Sequence, residues 1–143
     1  MTATRDDFEH WLFEMDDHLK KFIDILPTDI SSKLDYSTGS LSFLEGWLLS
    51  KYGSVNEILK ESEKQTLDMV ARYVGETFRK NLGGIWNIDL KNKKNVFYRM
   101  PVIEKLGSWT QCPITLVTAS LDRRSGSFMT GVLNSIASRY GAV

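Results

Sequence analysis

Apolar residues recur at helical spacing through most of the first eighty positions and then switch to alternation, so the chain reads as a helical half followed by a half that contains strands. A first helix can start at Asp6 or Asp7. It carries Phe8, Trp11, Leu12, Met15, Leu19, Phe22, Ile23 and Leu26 as a nearly unbroken stripe before Pro27. Residues 28–39 are dense in Ser, Thr, Asp and Gly and read as a connection. Ser40 then caps a second helix through Leu41, Leu44, Trp47 and Leu48, closed by Gly53. Ser54 with Glu57 repeats a capping pattern over the short run Val55 to Leu59.

The next helix is predicted from Ser62, with Gln65 reaching back to the cap and Leu67, Val70, Ala71, Val74, Phe78 and Leu82 on one face. Gly83 and Gly84 end it, because glycine enters the left-handed conformation past a helix end without a Cβ clash. Gly75 falls within or beside the apolar stripe, where it costs about 1 kcal/mol against alanine. The simplest compensation is close approach of another backbone, a strand of the following hairpin, with a ligand against the helix as the alternative.

After the double glycine, Trp86, Ile88 and Leu90 alternate with Ile85, Asn87 and Asp89. The runs Ile85 to Leu90 and Val96 to Ile103, separated by the polar residues 91–95, predict an antiparallel pair. Pro101 places the second strand at an edge or a bend. Pro113 introduces a third apolar run, Ile114 to Ala119, whose β-branched residues predict a third strand. After a turn over 122–126, Ser127 caps a last helix carrying Phe128, Val132, Leu133, Ile136 and Tyr140. This order predicts an α+β fold in which N-terminal helices pack on a small, mainly antiparallel three-stranded sheet with a closing C-terminal helix.

Composition narrows the class. A chain of 143 residues, 42% apolar and 25% charged, has the balance of one globular domain spanning 1–143. Its 18 basic and 18 acidic side chains create no overall field, which argues against nucleic acid or an anionic membrane as partner. The N-terminal stretch is acidic and lacks a signal-peptide core, and no apolar run approaches the roughly 18 residues of a membrane span, so a cytoplasmic setting is expected. Cys112 stands alone, which excludes an internal disulfide and a multi-cysteine metal site.

Candidate chemistry is sparse. His10, Glu14 and His18 are spaced by four, with Asp17 beside them, but they lack the compact two-histidine, one-glutamate turn of zinc hydrolases and read more simply as a solvated face. No metal or cofactor is expected. Cys112 has no cationic neighbour in sequence and precedes Pro113, which suits a buried, inert thiol. Ser120, Ser125 and Ser127 lie outside any Gly-x-Ser-x-Gly turn. Arg123 and Arg124, leading through Ser125-Gly126-Ser127 into a helix, suit an anion or acidic partner, or else an ordinary turn. Trp109 in a loop, with Tyr98, Arg123 and Arg124, offers a partner surface, unless it folds back on the sheet. The expected function is therefore binding to another protein without catalysis. The alternative is a small enzyme or ligand binder with a cleft between the long helix and the sheet, using Tyr73, Glu76 and Arg99. A homodimer through the edge of the second strand is a third arrangement.

The segment Arg72-Tyr73-Val74-Gly75-Glu76, followed by Gly83-Gly84-Ile85-Trp86, resembles a pattern in small uncharacterised bacterial proteins. These share a helix with Tyr-x-Gly-Glu, a Gly-Gly stop, a Trp-led strand, a second strand ending near proline and a closing helix. The similarity covers roughly Ser62 to Tyr140. Some proteins of this type occur in toxin-immunity systems, so the resemblance implies a binding role and brings no catalytic residues with it.

Overall fold

The computed structural model describes residues 4–142. The first apolar stripe forms two helices, α1 (Arg5–Phe13) and α2 (Met15–Ile25), interrupted at Glu14. Thr4 caps α1: its hydroxyl accepts the Asp7 N–H at 3.1 Å, while the Asp7 carboxylate accepts the Thr4 N–H. A helical turn, α3 (Thr28–Ser31), lies within the connection, and α4 (Ser40–Lys51) and α5 (Val55–Ile58) follow.

The long helix α6 (Lys64–Leu82) begins later than its sequence suggests. Ser62 sits in a preceding 3-10 turn (Glu61–Glu63), and neither it nor the cap residue Glu63 makes a side-chain capping bond. From Val70 to Phe78 every residue is buried, not only those on one face, because α6 packs against α2, α5, α7, α8 and β2. Its polar side chains are accommodated by specific partners. The Tyr73 hydroxyl donates to Ser40 Oγ at 2.8 Å and accepts the Tyr36 N–H at 3.0 Å, and Thr77 Oγ1 donates to the Tyr73 carbonyl at 2.9 Å.

Past α6, Gly83 (φ 80°, ψ −161°) and Gly84 (φ 94°) turn the chain back, and a Cβ on Gly84 would stand 2.8 Å from the Glu104 carbonyl oxygen. The reversal leads into β1 (Ile85–Asn87) and seats the Trp86 indole on Gly75, where a Cβ would fall 2.0 and 2.3 Å from ring atoms. The close approach at Gly75 therefore comes from an indole of the first strand rather than from a backbone.

The three-stranded antiparallel sheet has the order β1-β2-β3, with β2 at Val102–Lys105 and β3 at Trp109–Gln111. Glu104 pairs with Ile85 on one side and Thr110 on the other, so these three share a face. Trp86, Ile103 and Gln111 share the opposite face, on which the Trp86 ring reaches α6.

Three sequence expectations are corrected. The second strand is central, so the edges open to pairing belong to β1 and β3, each three residues long. Residues 96–100 form turns, and Pro101 stands just before β2, where its missing N–H breaks no ladder. The run Ile114 to Ala119 is not a strand but part of α7 (Pro113–Arg123). Proline favours the first helical position, and the buried set Leu116, Val117, Ser120 and Leu121 has helical spacing. A short β-branched run is ambiguous until its flanks are weighed.

The last helix, α8 (Phe128–Tyr140), is capped from afar. Ser127 occupies the cap position without a side-chain bond, while the buried Glu45 of α4 accepts the Phe128 N–H at 3.0 Å and the Met129 N–H at 2.9 Å. A carboxylate suits the positive end of a helix. Glu45→Ala is predicted to lower the unfolding free energy by about 2 kcal/mol, against less than about 0.5 kcal/mol for Ser127→Ala, in urea titrations.

Candidate functional site

Among the described residues, three of the concave regions lie beside α6 and the sheet and bear on the candidate residues. The first, about 580 Å³, runs between α1, α2 and the start of α6. At its base Arg72, 2% exposed, donates from Nε to Asp68 Oδ2 at 2.8 Å and from Nη1 to the Trp11 carbonyl at 2.7 Å, with its guanidinium 4.3 Å from the Trp11 ring centroid. Asp68 Oδ1 accepts the Trp11 indole N–H at 2.8 Å. Outside this knot, Glu14 lies between the two histidines, 3.2 Å from His10 Nε2 and 4.0 Å from His18 Nε2, while Asp17 is exposed. Among the described residues no group of three or more His, Cys, Asp or Glu side chains forms a metal site.

The second region is a cleft of about 220 Å³ between α6 and the segment around the sheet. Trp11 and Trp86 meet edge to face there, with centroids 4.9 Å apart. Of the three residues assigned to such a cleft from sequence, Arg99 lines it and Tyr73 and Glu76 do not. Tyr73 is fully buried, and burial pushes its hydroxyl pKa up. Glu76, 7% exposed, binds Arg79 through Nε at 2.5 Å and Nη2 at 3.3 Å, which raises the arginine pKa. The same carboxylate accepts the Trp86 indole N–H at 3.4 Å. These two groups hold structure together.

The third and largest region, about 790 Å³, lies over the outward face of the sheet. Asn87, Val102, Glu104 and Thr110 contribute its floor, and the 88–97 loop lines its side. That loop is braced by its own side chains. Asp89 Oδ1 accepts the Lys91 and Asn92 N–H groups at 2.9 and 3.0 Å, and Oδ2 accepts Asn95 Nδ2 at 3.0 Å. Asn92 Oδ1 accepts the Lys94 N–H, and Asn95 Oδ1 accepts the Phe97 N–H. The Arg99 N–H closes the base on the Asp89 carbonyl at 2.9 Å, with Arg99 itself at φ 63°. Lys91, Lys93 and Lys94 are held outward on this frame.

The residues assigned to a partner surface do not assemble as one. Trp109 begins β3 and is 8% exposed, so it is a core residue rather than a loop anchor. Tyr98 is half-buried beside the Arg99 guanidinium. Arg123 lies over the Phe128 ring, 4.9 Å from its centroid. Arg124, at φ 55°, donates to the Tyr52 and Leu49 carbonyls at 3.1 and 3.0 Å, tying the end of α7 to the end of α4. The anion reading of Arg123 to Ser127 fails on this geometry, since Glu45 takes the first helix N–H groups and backbone carbonyls take Arg124. Cys112 is fully buried, and burial raises its thiol pKa. Ser120 donates to the Val117 carbonyl, and Ser125 accepts the Ser127 N–H.

Sequence reasoning missed Asp68 with Arg72, although their spacing of four is a visible pair signal. It also missed the bracing triplet Asp89, Asn92 and Asn95, visible as turn-forming residues three apart, and Glu45, for which no local signal exists. No helix among the described residues is long and apolar enough to cross a membrane. Comparisons with protein-family models, curated proteins and solved structures give no match.

The hydrogen bonds to Asp89, led by the Asn92 N–H and the Asn95 amide, lower its carboxyl pKa. A depressed folded pKa contributes local stability that is present above the ordinary value of about 3.9 and lost as pH falls through the lower folded value. In an NMR titration the Lys91 and Asn92 amide shifts are predicted to move together with a midpoint below 3.9; a midpoint at or above it contradicts the bracing.

Proposed function

We propose that this protein works by binding another protein, with no chemistry of its own, through the outward face of its sheet and the lysine loop beside it. The observation that carries this reading is the 790 Å³ groove over the outward sheet face, bordered by a loop already fixed in shape and by Arg5 at the start of α1. A pre-ordered loop loses little freedom when a partner docks. Apolar side chains are exposed here: Val96, which lines the groove, is 80% exposed, and Ile85, on the same sheet face as Glu104, 58%. Lys93 and Lys94 have no carboxylate partner among the described residues.

Neutral net charge conceals a division that supports an acidic partner. Residues 1–35 carry four basic and nine acidic side chains, whereas residues 88–142 carry eight basic and three acidic. A partner with an apolar centre and acidic rim matches this surface. The resemblance to small uncharacterised bacterial proteins, some of which occur in toxin-immunity systems, implies a binding role of the same kind.

The test is retention of a partner from source-cell lysate by immobilised wild type, by a Val96→Glu, Lys93→Glu, Lys94→Glu variant and by Arg123→Ala. The predicted result is one protein held by wild type and Arg123→Ala, lost by the triple variant, and released as salt rises. Equal retention by all three, or none by any, contradicts the reading. A dimeric mass by light scattering that the triple variant leaves intact would instead place a second copy at a β1 or β3 edge.

A further inference from the structure

The cleft between α1, α6 and the sheet differs in chemistry from the groove proposed for a protein partner. Its walls are the rings of Trp11, Trp86, Pro101 and Pro113, and Leu67 and Ala71 of α6 complete an apolar lining. Ala71 keeps the space open. A cleft of about 220 Å³ is smaller than the roughly 300 Å³ at which drug-sized sites begin, so it suits a ligand of about one ring.

Three charged groups line the cleft: Lys64, Asp68 and Arg99. Both Asp68 oxygens are engaged, one by the Trp11 indole N–H and the other by Arg72, whose guanidinium balances the carboxylate charge. Lys64 and the Arg99 guanidinium have no carboxylate partner among the described residues. Arg99 instead lies over the Tyr98 ring, and its backbone is fixed in the left-handed region by the bond to the Asp89 carbonyl. The cleft is thus aromatic inside and carries uncompensated positive charge.

We infer that this cleft is a binding site for a small apolar carboxylate, whose ring lies against Trp11 and Trp86 and whose anionic group meets Arg99 and Lys64. Charge-assisted bonds from two cations at a partly enclosed apolar site favour the carboxylate over an uncharged group of equal shape. The site stands independently of the protein-binding surface, because neither Trp11 nor Lys64 contributes to the groove over the sheet.

Phenylacetate, phenylacetamide and phenethylamine test it, because they share a ring and differ in charge. Each is titrated into the full ¹⁵N-labelled chain while the four indole N–H resonances are followed. The expected result is saturable shifts at Trp11 and Trp86 with phenylacetate, at least tenfold weaker binding of the amide, and no saturation with the amine. Trp47 and Trp109, which do not line the cleft, serve as internal references. Lys64→Gln with Arg99→Asn should weaken phenylacetate at least tenfold with those two resonances unmoved; asparagine is chosen because it tolerates the left-handed backbone. Lys64→Gln alone, at an exposed position, provides the same test with a smaller loss if the double variant does not fold. Absence of saturable shifts with phenylacetate, binding of the amide as tight as the acid, or unchanged affinity in a folded variant would overturn the inference.

Discussion

The Trp86 indole occupies volume that any residue other than glycine at position 75 would claim, and this steric exclusion fixes how the sheet meets the helices. Its ring edge lies over Gly75 and close to Pro113, while its indole N–H faces the Glu76 carboxylate and its ring meets Trp11 edge to face. One side chain therefore bears on α6 and α1 and shares the small cleft with Pro113 at the start of α7. The Gly83-Gly84 reversal makes this possible, since the strand must turn back within two residues for Trp86 to reach a helix position eleven residues earlier. The Tyr-x-Gly-Glu and Gly-Gly-x-Trp pattern thus has a mechanical explanation: it is a seat, an acceptor and a tight return, none of which requires chemistry on a substrate.

The second constraint is the complete burial of the middle of α6. A helix enclosed on all sides must bury its polar face, and each polar group there needs a partner or costs stability. Arg72 meets that demand with Asp68, the Trp11 carbonyl and the Trp11 ring, which also fixes the wall of the small cleft. Glu45 solves the same problem at α8 by receiving two N–H groups otherwise unpaired at a helix start. No buried side-chain nitrogen or oxygen among the described residues lacks a hydrogen-bond partner. Lys93 and Lys94 on the loop and Lys64 and Arg99 at the cleft are among the surface charges without an ion-pair partner within the described residues, and the two binding proposals rest on them.

The helices with sustained 3.6-residue periodicity, α1 with α2, α4, α6 and α8, were legible because a buried stripe leaves a repeat in the chain. A three-stranded, antiparallel sheet was legible, but its third strand is Trp109–Gln111, in a stretch that reads as a loop, and not the run at Ile114. A six-residue run at Ile114 is too short for period alone to choose helix or strand, and its proline start signal points to α7. The candidate residues were harder. Trp109 looked like a loop residue beside Gly107, yet strand pairing carries it inward. Arg124 and Glu45 act on carbonyls and N–H groups more than seventy residues away, contacts that leave no local pattern. Gly75 was the exception: its propensity cost demanded a close neighbour, and only the neighbour's identity needed the fold.

The most direct test of this architecture is the unfolding free energy of Gly75→Ala, measured in urea in the wild-type and Trp86→Ala backgrounds. On an unconstrained helix the change to alanine stabilises by about 1 kcal/mol. With the indole in place, the predicted result is a loss of about 1–3 kcal/mol from overpacking, and with Trp86 removed the sign reverses toward the propensity gain. Stabilisation in the wild-type background, or the same loss in both, would contradict Trp86 as the group that requires glycine at position 75.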